Sequence, residues 1–386
     1  MSTQRGQFKL FTVRGIDVKA HWSWLLIVLL ITFYLGAGYF PRLMPGESEL
    51  TYWLLGAIAS FLFFASVLLH EQSHSFVARA RGLKVRDITL FIFGGASNIE
   101  EEPETPREEF LIAVVGPLTS FLLSGVFFLL ALAVSPQVHH AGAGASAVLY
   151  YLAFINFVLA LFNMIPGFPL DGGRVLRSII WAINHNLQSA TRIAGFIGQL
   201  VAYGFISWGL YETFFLDNFG GLWLAFTGWF LLNAGQQSVA GTVVRETLRG
   251  ITVGQVMEPA PPVGAPYMTL SHLLTQFVLP YNVRAVPVAQ DGQLAGIITL
   301  GDIKHVPQEE WGTVTVGQIM TGPDKLSILR PQDSLDHAMQ LLNGGDFDQL
   351  PVADQHGRLV GMVTHAHLLR WMQIRDELKL KPQANA

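Results

Sequence analysis

His70-Glu71-Gln72-Ser73-His74 brings two imidazoles and a carboxylate into five residues at the end of an apolar run, Ile58 to Leu69. On a helix, residues four apart share a face, so both rings can reach one metal ion. Glu71 beside them is then placed to act as general base toward a water held there. A chain of this length with 12 His and 28 Asp plus Glu would show His-Glu-x-x-His roughly once in a hundred times by chance, so the string alone decides nothing. Its setting weighs more. An ionisable side chain at the centre of a membrane helix costs about 2.5–3.5 kcal/mol, and three clustered together call for a compensating partner such as a divalent cation. The competing reading is a helix end whose interfacial His and Glu bind nothing.

Two histidines leave a zinc ion short of ligands. Cysteine is absent, so a further ligand must be His, Asp or Glu. Asp171 is the outstanding candidate, in the segment Asn163-Met-Ile-Pro166-Gly-Phe-Pro169-Leu-Asp171-Gly172-Gly173-Arg174. Its prolines interrupt a helix and its glycines allow close backbone approach, so the carboxylate can be presented from a broken segment. Two His and one Asp leave a position open, which is the catalytic pattern for zinc. Alternatively, Asp171 caps a helix starting at Gly172.

The elements that must position these groups read as membrane. The chain is 51% hydrophobic and 13% charged, about half the charged fraction of a soluble domain. A net charge of −4 without a basic cluster gives no reason to expect a nucleic-acid partner. Six apolar runs are long enough to span, near residues 22–40, 52–80, 110–134, 147–165, 193–211 and 219–236. The first is too long for a cleaved signal peptide and lacks a small-residue cleavage site, so it reads as a retained span. Lys9, Arg14 and Lys19 precede it, and Arg79, Arg81, Lys84 and Arg86 follow the second run. Both clusters place their ends in the cytoplasm, with the HEQSH motif in the cytoplasmic half of the second span.

Asp87 to Ile99, around Gly94-Gly95, is too short to span and reads as a strand or hairpin dipping into the membrane against protein. Its Thr89 to Ser97 edge could pair with an extended substrate segment, or the hairpin could be purely structural. In the acidic run Glu100 to Glu109, Thr105 reads as an N-cap, Pro106 as the first helical residue, and Glu108 and Glu109 as first-turn charges. His21 and the His139-His140 pair read as interfacial or solvated residues.

Beyond about Val239 the composition turns soluble and a repeat emerges. Val253-x-x-x-Met257 recurs as Val316-x-x-x-Met320, Val286-Pro287-Val288 as Leu350-Pro351-Val352, and Asp291–Ile303 as His356–Leu368, with a spacing of 63 to 65 residues. Each copy reads β-α-β-β-α, with a tight Asp-Gly or His-Gly turn between its last two strands. The expected organisation is a transmembrane domain over 1–238, a linker over 239–250, and two soluble α/β copies over 251–307 and 314–375 that pack as one pseudo-symmetric module.

Taken together, HEQSH on the second span, the FGG strand, NMIPGFPLDGGR after the fourth span and the six-span count resemble the site-2 protease family of intramembrane zinc metalloproteases, peptidase family M50. The repeat resembles a tandem CBS-domain pair. Between them the resemblances cover roughly residues 10 to 375. They imply a multi-pass α-helical membrane domain with a membrane-embedded β-hairpin, followed by a soluble α/β CBS module. They imply cleavage of peptide bonds in membrane-spanning segments of single-pass proteins such as an anti-sigma factor or a membrane-tethered transcription factor. By residue, the resemblance makes His70, His74 and Asp171 ligands to one Zn2+ per chain and Glu71 the catalytic base. Asn163 matches a family position near the substrate, with Gly94 and Gly95 assigned beside it, although Asn163 would also serve as a helix cap.

In the first CBS copy, Thr299 and Asp302 match the segment that contacts the phosphate and ribose of an adenine nucleotide (ATP, ADP or AMP). The second copy keeps Thr364 but has His367 where that acid stood. The resemblance also implies a homodimer through the CBS domains, and it leaves a purely dimerising or stabilising module open. A separate reading makes the chain a CBS-regulated transporter or channel, with His70, Glu71, His74 and Asp171 lining an ion path. The spans show no evident inverted repeat to support it.

Overall fold

The computed structural model describes residues 6–99, 102–134, 141–248, 250–344 and 349–377. Glu100, Glu101, His139 and His140, on which expectations were placed, lie outside the described residues. The chain divides into two compact units, Ser2–Val243 and Val244–Ala386.

Among the described residues, seven helices build the first unit, the last running on into the second: α1 (Trp22–Leu43), α2 (Glu49–Ala80), α3 (Pro106–Val134), α4 (Ala141–Asn163), α5 (Asp171–Asn184), α6 (Leu187–Phe215) and α7 (Gly220–Leu248). Five of them, α1, α2, α3, α4 and α6, are long and apolar enough to cross a membrane. The sixth expected span is a helix as well, but Asn233, Gln236 and Gln237 break the apolar run of α7, so the count by this measure is five. Helix starts follow local chemistry. Ser48 accepts the Thr51 amide at 3.2 Å ahead of α2, and at α3 Thr105 and Glu108 accept each other's backbone amides at 3.3 Å. Helices α1 and α2 cross closely at glycines: a methyl group on Gly56 would stand 2.9 Å from the Thr32 carbonyl oxygen.

The Asp87 to Ile99 hairpin belongs to a larger sheet. Strands β1 (Gln7–Val13), β2 (Ile16–His21), β3 (Val85–Phe91) and β4 (Gly94–Ile99) form one four-stranded sheet in that order, with β2 and β3 parallel. Of the N-terminal basic residues, Lys9 and Lys19 thus sit in strands and Arg14 in the turn between them. Lys19 pairs with Asp87 at 2.8 Å, and Arg79 at the end of α2 donates to the Arg14 carbonyl at 2.6 Å. Both basic clusters therefore lie at one end of this unit. Because β3 is paired on both sides, the free edge beside α2 is β4 alone, which corrects the longer edge expected over Thr89 to Ser97.

In the second unit each copy carries a hairpin: β6 (Ala285–Gln290) with β7 (Gln293–Thr299), and β8 (Gln349–Ala353) with β9 (Leu359–Thr364). The first turn is tight, with Asp291 and Gly292 both at positive φ. The second is longer, because Asp354 accepts the His356 and Arg358 amides at 2.8 and 2.9 Å. The copies are also exchanged. Strand β5 (Glu258–Pro259), from the first copy, pairs with β9 of the second, while Thr321 of the second bonds in both directions to Ile297 of the first at 2.9 and 3.0 Å. Val253 and Val256 accordingly pack in the core around Leu335, Leu350 and Val363, and Val316 packs in the core around Leu270, Val286 and Ile298.

Candidate metal centre

Helix α2 places His70 and His74 one turn apart, facing α3 and the start of α5. His70 Nε2 and His74 Nε2 are 3.2 Å apart, and Asp171 Oδ2 lies 3.1 Å from the first and 3.2 Å from the second. Both histidines are 4% exposed. An ion bonded at about 2.0–2.1 Å to three corners of a tetrahedron holds those corners about 3.3 Å apart, so this donor triangle fits zinc. Among the described residues it is the one group of three or more such side chains placed to hold a metal ion.

The ring orientations are fixed from behind. His74 Nδ1 donates to the Ile112 carbonyl at 2.6 Å, which leaves its Nε2 lone pair free to face the triangle. His70 Nδ1 shares a hydrogen bond of 2.9 Å with Ser120 Oγ. Between these two supports on α3, Gly116 leaves room for the rings: a methyl group there would stand 2.6 Å from His70 Nε2 and closer still to His74. Ile112, Gly116 and Ser120 thus form one face of α3 at four-residue intervals.

Asp171 reaches the triangle because its own helix does not use it. Helix α5 begins at Asp171, its N-cap is Leu170, and no side chain caps it. Methyl groups on Gly172 or Gly173 would collide with backbone at Met164, Ile165 and Gly167, so both glycines are required by the tight turn that brings α5 back onto the preceding segment. The capping alternative for Asp171 is therefore not what the side chain does.

Glu71 points toward β4. Ser97 Oγ lies 2.8 Å from Glu71 Oε2 and 2.9 Å from the Glu71 carbonyl oxygen, and it receives Ser75 Oγ at 3.2 Å. Gly95 lies against the same side chain: a Cβ there would come 2.5 Å from Glu71 Cγ. Gly94 is at φ +132°, a conformation that favours glycine, and opens β4. Asn163 ends α4, and its amide donates to the Leu159 carbonyl at 3.0 Å, a bond within its own helix.

The nucleotide candidates stand at helix starts in the second unit. Thr299 and Asp302 form a reciprocal capping box: Asp302 Oδ2 accepts the Thr299 amide and hydroxyl at 2.8 Å each, and Thr299 Oγ1 accepts the Asp302 amide at 3.2 Å. Thr364 Oγ1 accepts the His367 amide at 3.2 Å, and His367 Nε2 lies 3.2 Å from Glu258 Oε2.

Ser97, Ser120, Gly116 and the Ile112 carbonyl were not identified from sequence. The first three are small residues in apolar or strand segments, where Ser and Gly are common. The Gly116-Pro117 pair inside a span was the one local irregularity that marked the place.

Comparison with known proteins gives the family. The profile described as Peptidase family M50 matches residues 58–140 and 133–204, and the CBS domain profile matches 253–309 and 316–374. A relative from Synechocystis sp., sll0528, which carries a provisional zinc metalloprotease name, is 35% identical over 378 residues, 95% of this chain and 97% of the relative. Rip3 of Mycobacterium tuberculosis, named in the same provisional way, is 32% identical over 371 residues, 96% of this chain and 94% of its own. The solved Site-2 Protease from Methanocaldococcus jannaschii is 28% identical, covers 60% of this chain and 94% of its own, and superposes with a TM-score of 0.44.

Proposed function

The chain belongs to peptidase family M50, as a membrane zinc metalloprotease with a CBS-domain pair, and we propose that it cleaves other membrane proteins within or beside their spanning segments. The observation that carries the reading is the triangle that buried His70 and His74, on a helix apolar enough to cross a membrane, form with Asp171, with Glu71 next in sequence to His70.

In this reading His70, His74 and Asp171 hold one zinc ion. When bound, it supplies Lewis-acid polarisation of the scissile carbonyl and makes water nucleophilic near neutral pH. Glu71 takes the proton of the attacking water on its carboxylate and returns it to the departing amide nitrogen. Ser97 holds Oε2 of that carboxylate and limits its rotation. A helical substrate hides its peptide bonds in its own hydrogen bonds and must unwind before attack. β4, with Gly95 against Glu71 and Gly94 opening the strand, offers its edge to the unwound segment, and Asn163, whose amide is bonded within α4, is assigned a substrate contact from the family resemblance alone.

The two basic clusters at one end of the membrane unit support a cytoplasmic N-terminus and cytoplasmic CBS domains. There an adenine nucleotide would bind at Thr299 and Asp302 of the first copy and modulate cleavage, with Thr364 a weaker second candidate because His367 replaces the acid. A second copy of the chain would associate through the CBS domains.

Full-length Glu71→Gln in liposomes with a single-pass substrate tests the central claim. Zinc content should stay at the unmodified level while cleavage falls about 10²–10⁴-fold. Unchanged cleavage would sink it. The same variant, incubated in native membranes, should retain bound substrate for identification.

A further inference from the structure

Phe168 is the midpoint of the segment that presents Asp171, and the fold clamps it from several sides. Methyl groups on Gly198 of α6 and Gly235 of α7 would stand 2.5 Å and 2.7 Å from the Phe168 carbonyl oxygen, so both helices press directly on its backbone. The Arg177 guanidinium carbon stands 5.2 Å from the centroid of the Phe168 ring. Arg177 is itself 4% exposed and held by Glu109, which is fully buried at the start of α3. Arg177 Nε donates to Glu109 Oε1 at 2.6 Å, Nη2 contacts the same oxygen, and Nη1 donates to Thr242 Oγ1 at 3.4 Å. Arg174 Nε lies 4.0 Å from Glu109 Oε1.

A buried ion pair is a poor way to gain stability. Taking each ion out of water is costly, and well-packed apolar replacements are often neutral or better. What this pair does give is geometry: a planar fork fixed at one end by a carboxylate and at the other by an aromatic face. It sits six residues beyond Asp171 on the 14-residue α5. We propose that Arg177, anchored by Glu109, is a positioning residue for Asp171. It fixes the rotation of α5 and the seat of Phe168, so that the carboxylate meets His70 and His74 at the separations described. This rests on the reading of Asp171 as a zinc ligand.

The test uses the full-length protein in detergent, with zinc affinity from chelator competition and stability from thermal unfolding. The double variant Arg177→Met/Glu109→Leu removes both buried charges together; Arg174 and Glu102, each 4.0 Å from one of them, are partly exposed to solvent. It should unfold near the unmodified protein yet bind zinc about 10–100-fold more weakly, the loss typical of an outer-shell partner. Arg177→Lys, which keeps the charge without the fork, should fall between. Unchanged zinc affinity in the double variant overturns the proposal. Asp171→Ala separates the two claims: if it abolishes tight zinc binding while the double variant keeps it, only the positioning role fails, and if Asp171→Ala itself binds normally, the ligand reading fails first. Should the double variant not fold, Phe168→Leu carries the test. It keeps the ion pair and removes the ring beneath Arg177, and it should weaken zinc binding; an unchanged affinity overturns the proposal there too.

Discussion

Asp171 opens α5 with its carboxylate turned away to His70 and His74, leaving Leu170 as a cap without a side-chain bond, whereas Asp302 folds back onto Thr299 and closes the start of its own helix. The two carboxylates have the same chemistry and nearly the same local position. A capping side chain stabilises a helix by about 1 kcal/mol. The membrane unit forgoes that contribution at α5 and holds the helix start by close backbone packing at Gly172 and Gly173 instead. The carboxylate is thereby released for a long-range partner 97 to 101 residues away in sequence. In the CBS pair the acid is committed locally, so any ligand must work with a carboxylate already held in place.

The contrast can be broken most severely at Asp171. Asp171→Asn should weaken zinc binding by more than the roughly 10–100-fold expected for a lost outer-shell partner and abolish cleavage. The unfolding midpoint of the metal-free protein should barely move, because no cap is lost; chelator competition and unfolding in EDTA would read both. A smaller effect should separate the two halves of the site. Ser120→Ala, which removes the support behind His70, should lower zinc affinity about 10-fold. Ser97→Ala, which frees Glu71, should lower kcat several-fold, on the order of one lost hydrogen bond of about 1 kcal/mol, with zinc affinity unchanged. Smaller again, Asp302→Ala should cost about 1 kcal/mol of CBS-module stability, seen as a drop of a few degrees in its unfolding midpoint, and leave zinc binding untouched.

The smallest effect is expected at Asp87, which lies outside the spanning helices. Burial would raise its pKa, but hydrogen bonds from Lys19 and Asn98, together with the Lys19 charge, outweigh burial and hold the carboxyl below its ordinary value. A depressed folded value means that the stability it contributes is present above the unfolded pKa, about 3.9, and is lost as pH falls through the lower folded value. Asp87→Asn should therefore lower stability at neutral pH, where the contribution is fully present, and leave it nearly unchanged below the folded value, so that the acid limb of stability measured against pH flattens.

The grouping of His70, His74 and Asp171 was legible in sequence because its evidence is residue type and spacing: two His at i and i+4, and an acid in a segment broken by prolines. Its supports were not, since Ser120 and Ile112 lie 50 and 38 residues from the rings they hold, and only the packing of α3 on α2 brings them there. Strands β1 and β2 were missed for a different reason. Lys9, Arg14 and Lys19 were read for their charge as topology signals, although Ile16–His21 alternates buried and half-buried residues as a strand should. Of the six expected spans, five are long and apolar enough to cross a membrane, and the sixth, α7, is a helix whose apolar run Asn233, Gln236 and Gln237 interrupt. The CBS repeat was plain from its 63 to 65 residue spacing, but a spacing cannot say whether a strand pairs within its own copy or across to the other.

That exchange between copies decides what damage the chain can tolerate. A protein truncated after the first repeat would lose the partner that Thr321 provides to Ile297, and one lacking the first repeat would leave β9 without β5. Either remnant would carry a naked sheet edge, a template for pairing with any extended chain nearby. Partial forms of this enzyme would thus be marked by insolubility and turnover before any loss of chemistry could be measured, and the CBS module can be gained or shed by the protease only as a whole.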